Sequence, residues 1–326
     1  MLFLALLAGV ATARISETDF EFLNYMAQWG KSYDTFEEFA LRSALYAKFD
    51  AEIKEINARE TTSTHGHNFL SDWTAEERVR LLGLKNMLIE EKTNVGAEEV
   101  EAVGIPTSIN WCTSGACNAI QNQGNCGSCW AFSAAAAMES AHKIFHGSLY
   151  KLSEQNFVSC SSLQGNNGCN GGLYSYAWNY AKSNPVESEA NYPYTSGSTG
   201  KTGSCLYDKT KGIGGISSHS SCGTTTSAIM TCIASQPQSV SIEADTTYFQ
   251  SYTSGVLTNA AACGTNLDHA VVAVGYGTTS AGVAYYVVRN SWGKSWGSSG
   301  YVDIGQAAYP GICGINKDVE WPTVTA

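Results

Sequence analysis

Cys129 precedes a run built to be a helix. Residues Ser133 to Ile144 include four consecutive alanines, and alanine has the highest helix propensity of any residue. In Gln123-Gly124-Asn125-Cys126-Gly127-Ser128-Cys129-Trp130-Ala131-Phe132 the second cysteine therefore falls in the first turn. Helix N-termini carry partial positive charge, which stabilises a thiolate and lowers the thiol pKa. The thiolate is the attacking form, so Cys129 stands where a nucleophile belongs. It needs a base, and the chain has six histidines. His65 and His67 lie in an acidic N-terminal stretch. His142 and His146 are spaced i,i+4 on the long helix, where packing or solvation is the ordinary role. His219 stands in a serine-rich stretch with no signal around it. His269 opens the run Leu267-Asp268-His269-Ala270-Val271-Val272, a strand end from which a catalytic group can enter a cleft. Its second ring nitrogen needs an orienting acceptor. Asn290, in Arg289-Asn290-Ser291-Trp292-Gly293, follows the next apolar run, and Trp292 can shield the hydrogen bond. On spacing alone this is one workable triad, and packing roles stay open for each member.

The elements that must position these residues follow from periodicity. Glu17 to Asn57 is helical in pattern and free of proline: Phe20, Leu23, Tyr25 and Trp29 open it, and Phe39, Leu45, Phe49, Ile53 and Ile56 follow at spacings of three to six. Asn68-Phe69-Leu70 reads as a short extended piece. Thr74 to Leu82 reads as a second helix, with Thr74 and Glu77 as a capping box. Residues 86–104 have no clear period and read as an exposed linker. Beyond Pro106 glycine and aromatics become frequent, and Ala270–Gly275 and Ala284–Arg289 are β-rich runs, hence strands. Helices first and strands later predict an α+β fold with two lobes. Thr195–Ser204 reads as a polar surface loop.

Composition divides the chain at the same place. All 11 cysteines and all 6 prolines lie at or beyond Pro106. Residues 14–104 carry 18 acidic and 10 basic side chains, against 11 and 9 in residues 105–326. The net charge of −10 argues against nucleic acid or an anionic membrane surface as partner. Leu2 to Val10 followed by Ala11-Thr12-Ala13 fits a short signal peptide at residues 1–13, too short to span a bilayer. Secretion makes disulfides the default use of the cysteines, and an odd total leaves one thiol over. Only Cys126 and Cys129 form a C-x-x-C, with no suitably spaced second pair, so zinc is disfavoured and no cofactor or metal is implied.

These residues resemble the papain family of cysteine proteases, and within it the cathepsin L-like branch. Cys126-Gly127-Ser128-Cys129-Trp130 matches the family's nucleophile motif, with His269 and Asn290 140 and 161 residues downstream. Leu152-Ser153-Glu154-Gln155, Gly168-Cys169-Asn170-Gly171-Gly172, Tyr192-Pro193-Tyr194, Gly275-Tyr276-Gly277 and Trp296-Gly297 continue the match through the whole region. The resemblance implies a papain-like two-lobed fold, with a helical left lobe and a β-barrel-like right lobe, behind a mainly helical propeptide. It implies that Cys129 attacks, His269 is its ion-pair partner and acid, Asn290 holds the ring, and Gln123 helps form the oxyanion hole. Gly171 and Gly172 would pair with substrate backbone, and Trp292 would line the primed side. Relatives that serve as binding or matrix proteins usually replace the nucleophile. Here Cys129, His269, Asn290 and Gln123 are all present, which favours an active endopeptidase.

The N-terminal segment matches the family's inhibitory propeptide through Glu38, Arg42, Tyr46, Ile53 and Asn57, and through Gly66 to Asp72. Tyr46, Phe49 and Leu70 depart from the usual residues. The implied domains are a propeptide at 14–104, running through the cleft in reverse, and a catalytic domain at 105–326. Carboxylates that lose their partners on protonation predict acid-triggered self-cleavage between about Val95 and Ile105. Three bridges carry over by position: Cys126–Cys169, Cys160–Cys205 and Cys263–Cys313. Of three possible pairings of the rest, nearness in sequence favours Cys112–Cys117 and Cys222–Cys232. Leu173, Tyr174, Ser241, Ala270 and Asp318 match the pocket for the second residue before the scissile bond. They imply an apolar or aromatic preference, with arginine tolerated if Asp318 faces the pocket rather than water. The implied partners are protein and peptide substrates, the chain's own propeptide and cystatin-type inhibitors. The protein would act as a monomer in a lysosome or vacuole, or outside the cell.

Overall fold

The computed structural model describes residues 15–84 and 104–326. The expected signal segment and nearly all of the expected cleavage window lie outside the described residues. Among those described, no helix is long and apolar enough to cross a membrane.

The N-terminal helical pattern resolves into two helices, α1 (Glu17–Trp29) and α2 (Phe36–Arg59), rather than one. The break is at Gly30, whose φ of 61° is left-handed and whose N–H bonds the Met26 carbonyl. Glycine takes that conformation without steric cost, so it ends the helix. Thr35 restarts it by accepting the Glu38 N–H. Phe22, Tyr25 and Tyr46 form a small core between the helices, with Trp29, Tyr33 and Phe39 around it. Asn68–Leu70 is a turn, not an extended piece. Asn68 Oδ1 accepts the Leu70 N–H at 2.9 Å and its carbonyl accepts the Ser71 N–H at 3.1 Å, the local competition for backbone donors that asparagine favours. The extended piece is β1 (Ser63–His65), just before it. Helix α3 (Ala75–Val79) begins at the expected capping box but stops three residues short of Leu82. Its next residues are drawn off as Leu81, Leu82 and Leu84 bury in cores beyond the helix.

The remaining chain forms two lobes. β2 (Ile109–Asn110) leads to α4 (Cys129–His146), α5 (Glu154–Cys160) and α6 (Tyr174–Ala181). Helix α4 is buried continuously from Cys129 to His142, as an all-round apolar helix must be. One side packs on α5 and α6 through Trp130, Met138, Phe157 and Trp178. On another side Ala136 meets Val272 and Val274 of the sheet. A strand pair, β3 (Val186–Glu187) and β4 (Gly212–Gly214), flanks this lobe.

The second lobe is built on one sheet. Its strands are β5 (Ile216–Ser221), β6 (Gln238–Ile242), β7 (Tyr252–Leu257), β8 (His269–Thr278), β9 (Ala284–Arg289), β10 (Tyr301–Gly305) and β11 (Val319–Val324). They lie in the order β1-β7-β10-β9-β8-β6-β11-β5, with β2 on β8. All pairs are antiparallel except β10 with β7. Ile242, Val271, Tyr286, Val288, Trp296 and Ile304 fill its core. β1 of the N-terminal segment extends the edge at β7, a strand-addition contact.

Five disulfides close the structure: Cys112–Cys117, Cys126–Cys169, Cys160–Cys205, Cys222–Cys232 and Cys263–Cys313. Cys129 is the free thiol. Thr195–Ser204 is more than a surface loop. Gln155 Oε1 accepts the Thr195 and Ser196 N–H groups at 2.9 and 3.0 Å. The Gly197 carbonyl accepts the Asn125 N–H at 2.8 Å, bracing the turn before Cys129.

Candidate active site

Cys129 is the first residue of α4, and no side chain caps that end. The helix therefore directs its first unshared N–H groups toward the thiol's surroundings. The Cys126–Cys169 bridge and a Gly127 N–H bond to the Cys169 carbonyl at 3.0 Å fix the turn before it. β8 and β9 are antiparallel neighbours, with Val272 opposite Arg289. His269 at the start of β8 and Asn290 just past the end of β9 therefore meet at one end of the pair. His269 Nε2 lies 2.8 Å from Asn290 Oδ1, which also accepts the Ser291 N–H at 2.8 Å. An oxygen already accepting from one N–H makes the second contact a donation too, so the bond assigns the proton to Nε2. Nδ1 makes no hydrogen bond among the described residues. The Trp292 ring covers the imidazole, centroid to centroid 4.8 Å.

Gln123 is oriented from both ends. Its Oε1 accepts the Ser291 hydroxyl at 2.7 Å, which turns Nε2 toward the Leu81 and Cys126 carbonyls, each at 3.0 Å. Tyr194 donates its hydroxyl to the Gln123 carbonyl at 2.8 Å and lies 2.7 Å from Ser128 Oγ. Cys129, Gln123, His269 and Asn290 are all buried.

Their cover is the chain's own Leu81–Leu84. Leu81 and Leu82 belong to the core of the sheet lobe, and Leu84 to that of the helical lobe. Gly83 is the crossing point. Its N–H points at Cys129 Sγ at 3.2 Å, and its carbonyl accepts the Gly172 N–H at 2.9 Å. The Leu84 N–H then bonds the Asp268 carbonyl at 2.9 Å. A β-carbon on Gly83 would lie 2.2 Å from the Gly127 carbonyl oxygen and 2.9 Å from Cys129 Sγ, so only glycine passes here. Leu84 is wholly buried in a cluster with Leu173, Tyr174 and Ala270.

Burial sets the electrostatics. It pushes the Cys129 thiol up to about 11, against the backbone groups of Ala270, Gly83 and Trp130 that favour the thiolate. It pushes His269 down to about 4, against the bond to Asn290 and the Leu81 carbonyl. Covered in this way, both groups are biased toward their neutral forms.

Residues expected to line the second-residue pocket also come together. β6 pairs with β8 so that Ser241 faces Ala270. Asp318 is not directed at water: it is buried, with its carboxylate accepting the Tyr174 hydroxyl and, at 2.8 Å, the Ser241 hydroxyl. Gly171 and Gly172 lie at the crossing of Gly83. The other histidines are elsewhere, His65 on β1, His67 beside α2, His142 and His146 on α4 and His219 on β5. Among the described residues no cluster of three or more His, Cys, Asp or Glu is arranged to hold a metal ion.

Residues 105–323 match the family model for papain family cysteine proteases, and residues 22–77 match the cathepsin propeptide inhibitor domain. The chain belongs to the papain family of cysteine proteases. It is 37% identical to cysteine protease XCP2 of Arabidopsis thaliana over 93% of this chain and 86% of that one. Its fold is similar to a recombinant stem bromelain precursor, with TM-score 0.81 and 32% identity over 94% of this chain and 99% of that one. A digestive procathepsin L 3 from Tenebrio molitor larval midgut is also similar, with TM-score 0.80 and 29% identity over 94% and 99%. This papain-family chain is thus a cysteine-type endopeptidase carrying its own inhibitory propeptide.

Sequence reasoning passed over Ser291, Tyr194, Asp268, Gly83 and Leu84. The last two had a signal, a glycine interrupting the leucines of Leu81-Leu82-Gly83-Leu84. Ser291 and Tyr194 act on Gln123 from distant segments, and although both stand in stretches that stood out for other reasons, neither stretch points to Gln123.

Proposed function

We propose that this chain is a secreted zymogen whose Cys129, His269 and Asn290 cleave peptide bonds once Leu81–Leu84 leaves the cleft. Cys129 Sγ attacks the scissile carbonyl carbon, and its proton passes to His269 Nδ1, the ring nitrogen that Asn290 leaves available. Gln123 Nε2 and the Cys129 backbone N–H stabilise the oxyanion. His269 then gives the proton to the leaving amine, and the C–N bond breaks. Water hydrolyses the thioester with His269 as base, releasing the carboxylic acid and restoring the thiol.

The observation that carries this reading is the polarity of the covering segment. From N to C it passes Gln123, then Cys129, then the Leu84 pocket. A substrate with its acyl-side residue in that pocket runs the other way. The group facing Cys129 Sγ is accordingly an N–H and not a carbonyl carbon, which supports a plug that is bound but not cut.

Acid release has support beyond carboxylates. Arg42 holds the Glu77 carboxyl below its usual range, so that contribution is present near neutrality and is lost as pH falls. One histidine acts in the same sense. His65 lies in β1 between Ser63 and Ser251 hydroxyls, each 3.0 Å from its ring, with Tyr248 and Glu60 beside it. Burial lowers it to about 4. His67 is lowered as well by burial among Tyr25, Tyr46 and Phe49, although Asp50 favours its charge more than Lys54 opposes it. Docking buries His65 against Ser251 and Tyr248 and so disfavours its charged form, which release restores toward the ordinary value near 6.5, whereas His67 is buried within the N-terminal unit itself. Docking therefore weakens as pH falls from about 6.5 toward 4.

The reading extends to a signal peptide at 1–13, a propeptide at 14–104 and a catalytic domain at 105–326. It includes an apolar or aromatic second-residue preference, which the buried Leu84 supports, with arginine reached only by opening the Tyr174–Asp318 contact. Passage through the secretory pathway to a lysosome, vacuole or cell exterior, monomeric action and cystatin-type inhibition belong to it too. It is tested with Cys129→Ala, which should leave the precursor intact in acid and without peptidase activity. A precursor that hydrolyses peptides without Cys129 would overturn it.

A further inference from the structure

The pocket that buries Leu84 has a polar boundary tied together by three residues. Tyr174 gives its ring to the apolar cluster with Leu84, Leu173 and Ala270. Its hydroxyl donates to Asp318 Oδ2 and lies 3.2 Å from Ser241 Oγ. Ser241 donates to the same Oδ2 at 2.8 Å, and its N–H bonds the Asp318 carbonyl at 3.1 Å. All three side chains are buried. One carboxylate oxygen thus takes two hydroxyl donors inside the wall of the pocket.

We propose that Tyr174 determines specificity in this pocket: with Ser241 it occupies the Asp318 carboxylate, so that a leucine-type side chain is accepted and arginine refused. The proposal rests on the reading of this pocket as the second-residue site. A guanidinium binds a carboxylate best through two parallel bonds to both oxygens. Here Oδ2 is committed. An incoming arginine must displace the tyrosine hydroxyl, and a buried hydroxyl left without its partner costs the desolvation it no longer recovers. It must also bring its charge into a wall that is otherwise Leu173, Ala270 and the Tyr174 ring. Leucine asks for neither change, and Leu84 is buried in the same apolar cluster.

The test uses the full-length chain after maturation and two fluorogenic peptides differing only in leucine or arginine at the second position. The readout is the ratio of the two kcat/KM values. Wild type is expected to favour leucine, and Tyr174→Phe to raise the arginine-to-leucine ratio about tenfold or more, the scale of one charge-assisted hydrogen bond. Ser241→Ala, which removes the other donor, should move the ratio in the same direction. Adding Asp318→Asn to Tyr174→Phe should return it to the wild-type value or below. A leucine preference that neither hydroxyl deletion changes overturns the role of Tyr174 and leaves the pocket reading standing. A wild-type enzyme that cleaves the arginine peptide as well as the leucine peptide overturns it too. Indifference to every residue tried at that position removes both.

Discussion

His269 and Asn290 show how a residue acquires its role from a partner far along the chain. The 2.8 Å bond between them assigns the imidazole proton to Nε2, and that assignment leaves Nδ1 unprotonated, as the proposed mechanism requires of its base. Gln123 is fixed in the same manner by Ser291. Gln123→Ala should therefore lower kcat by about 10²–10³, the usual cost of one oxyanion donor, with a smaller effect on KM. Steady-state kinetics on the matured enzyme checks this. The thiol supplies a second prediction. Because burial holds it near 11 in the closed form, Cys129 of the precursor at pH 7 should react with iodoacetamide far more slowly than in the matured enzyme. Rates of labelling followed by mass measure the difference. Cys129, His269, Asn290 and Gln123 could be picked out in the sequence because each sits in a distinctive local motif. Ser291 could not, since a serine between an asparagine and a tryptophan says nothing about a glutamine 168 residues away.

At the scale of elements, the stop of α3 at Val79 matters most. The sequence predicts a helix from the Thr74–Glu77 capping box to Leu82, but Leu81, Leu82 and Leu84 bury instead in two existing cores. Local pattern could not reveal this, because the competing surface is supplied by other segments. The same holds at Asn68, where a turn that donates the Asn68 amide to the Gln250 carbonyl at 2.7 Å replaces the expected extended piece. Three tests belong here. Gly83→Ala would force its β-carbon against backbone at Gly127, so the precursor should hydrolyse peptides near neutral pH without processing. Leu84→Ala should weaken docking by about 2–5 kcal/mol, as truncation of a buried leucine does, and lower the inhibitory potency of the added N-terminal segment accordingly. His65→Gln removes a group that must stay neutral when docked. The midpoint of acid activation should then move to lower pH by about half a unit or more, since one proton changes the docking constant up to tenfold per pH unit. Activation scored by mass across a pH series would show the shift.

The whole molecule is two lobes with a thiol at their seam and a third, N-terminal unit that grips both. Its hold is distributed. β1 adds to the sheet edge, and Asn57 braces it with two bonds to the His65 backbone at 2.8 and 2.9 Å. Within the unit itself, Lys31 and Tyr25 meet at Asp72, each at 2.8 Å, and Arg42 clamps Glu77. The two-lobed α+β plan was legible because composition changes at Pro106 and the strand runs are strongly β-rich. The order of strands was not, since β7 beside β10 and β11 between β5 and β6 are choices made by packing over long distances. In the proposed function this unit silences Cys129 by lying backward in the cleft until acid loosens it. The direct measurement is to hold the full-length precursor near pH 4 with a thiol reductant, following mass and hydrolysis of a peptide with phenylalanine at the second position. Cys129→Ala is run beside it. The expected result is loss of the mass of residues 14–104 with activity rising in step, and neither change in the variant. A wild-type precursor that stays whole and silent under these conditions, or a Cys129→Ala chain that processes itself as fast, would contradict it.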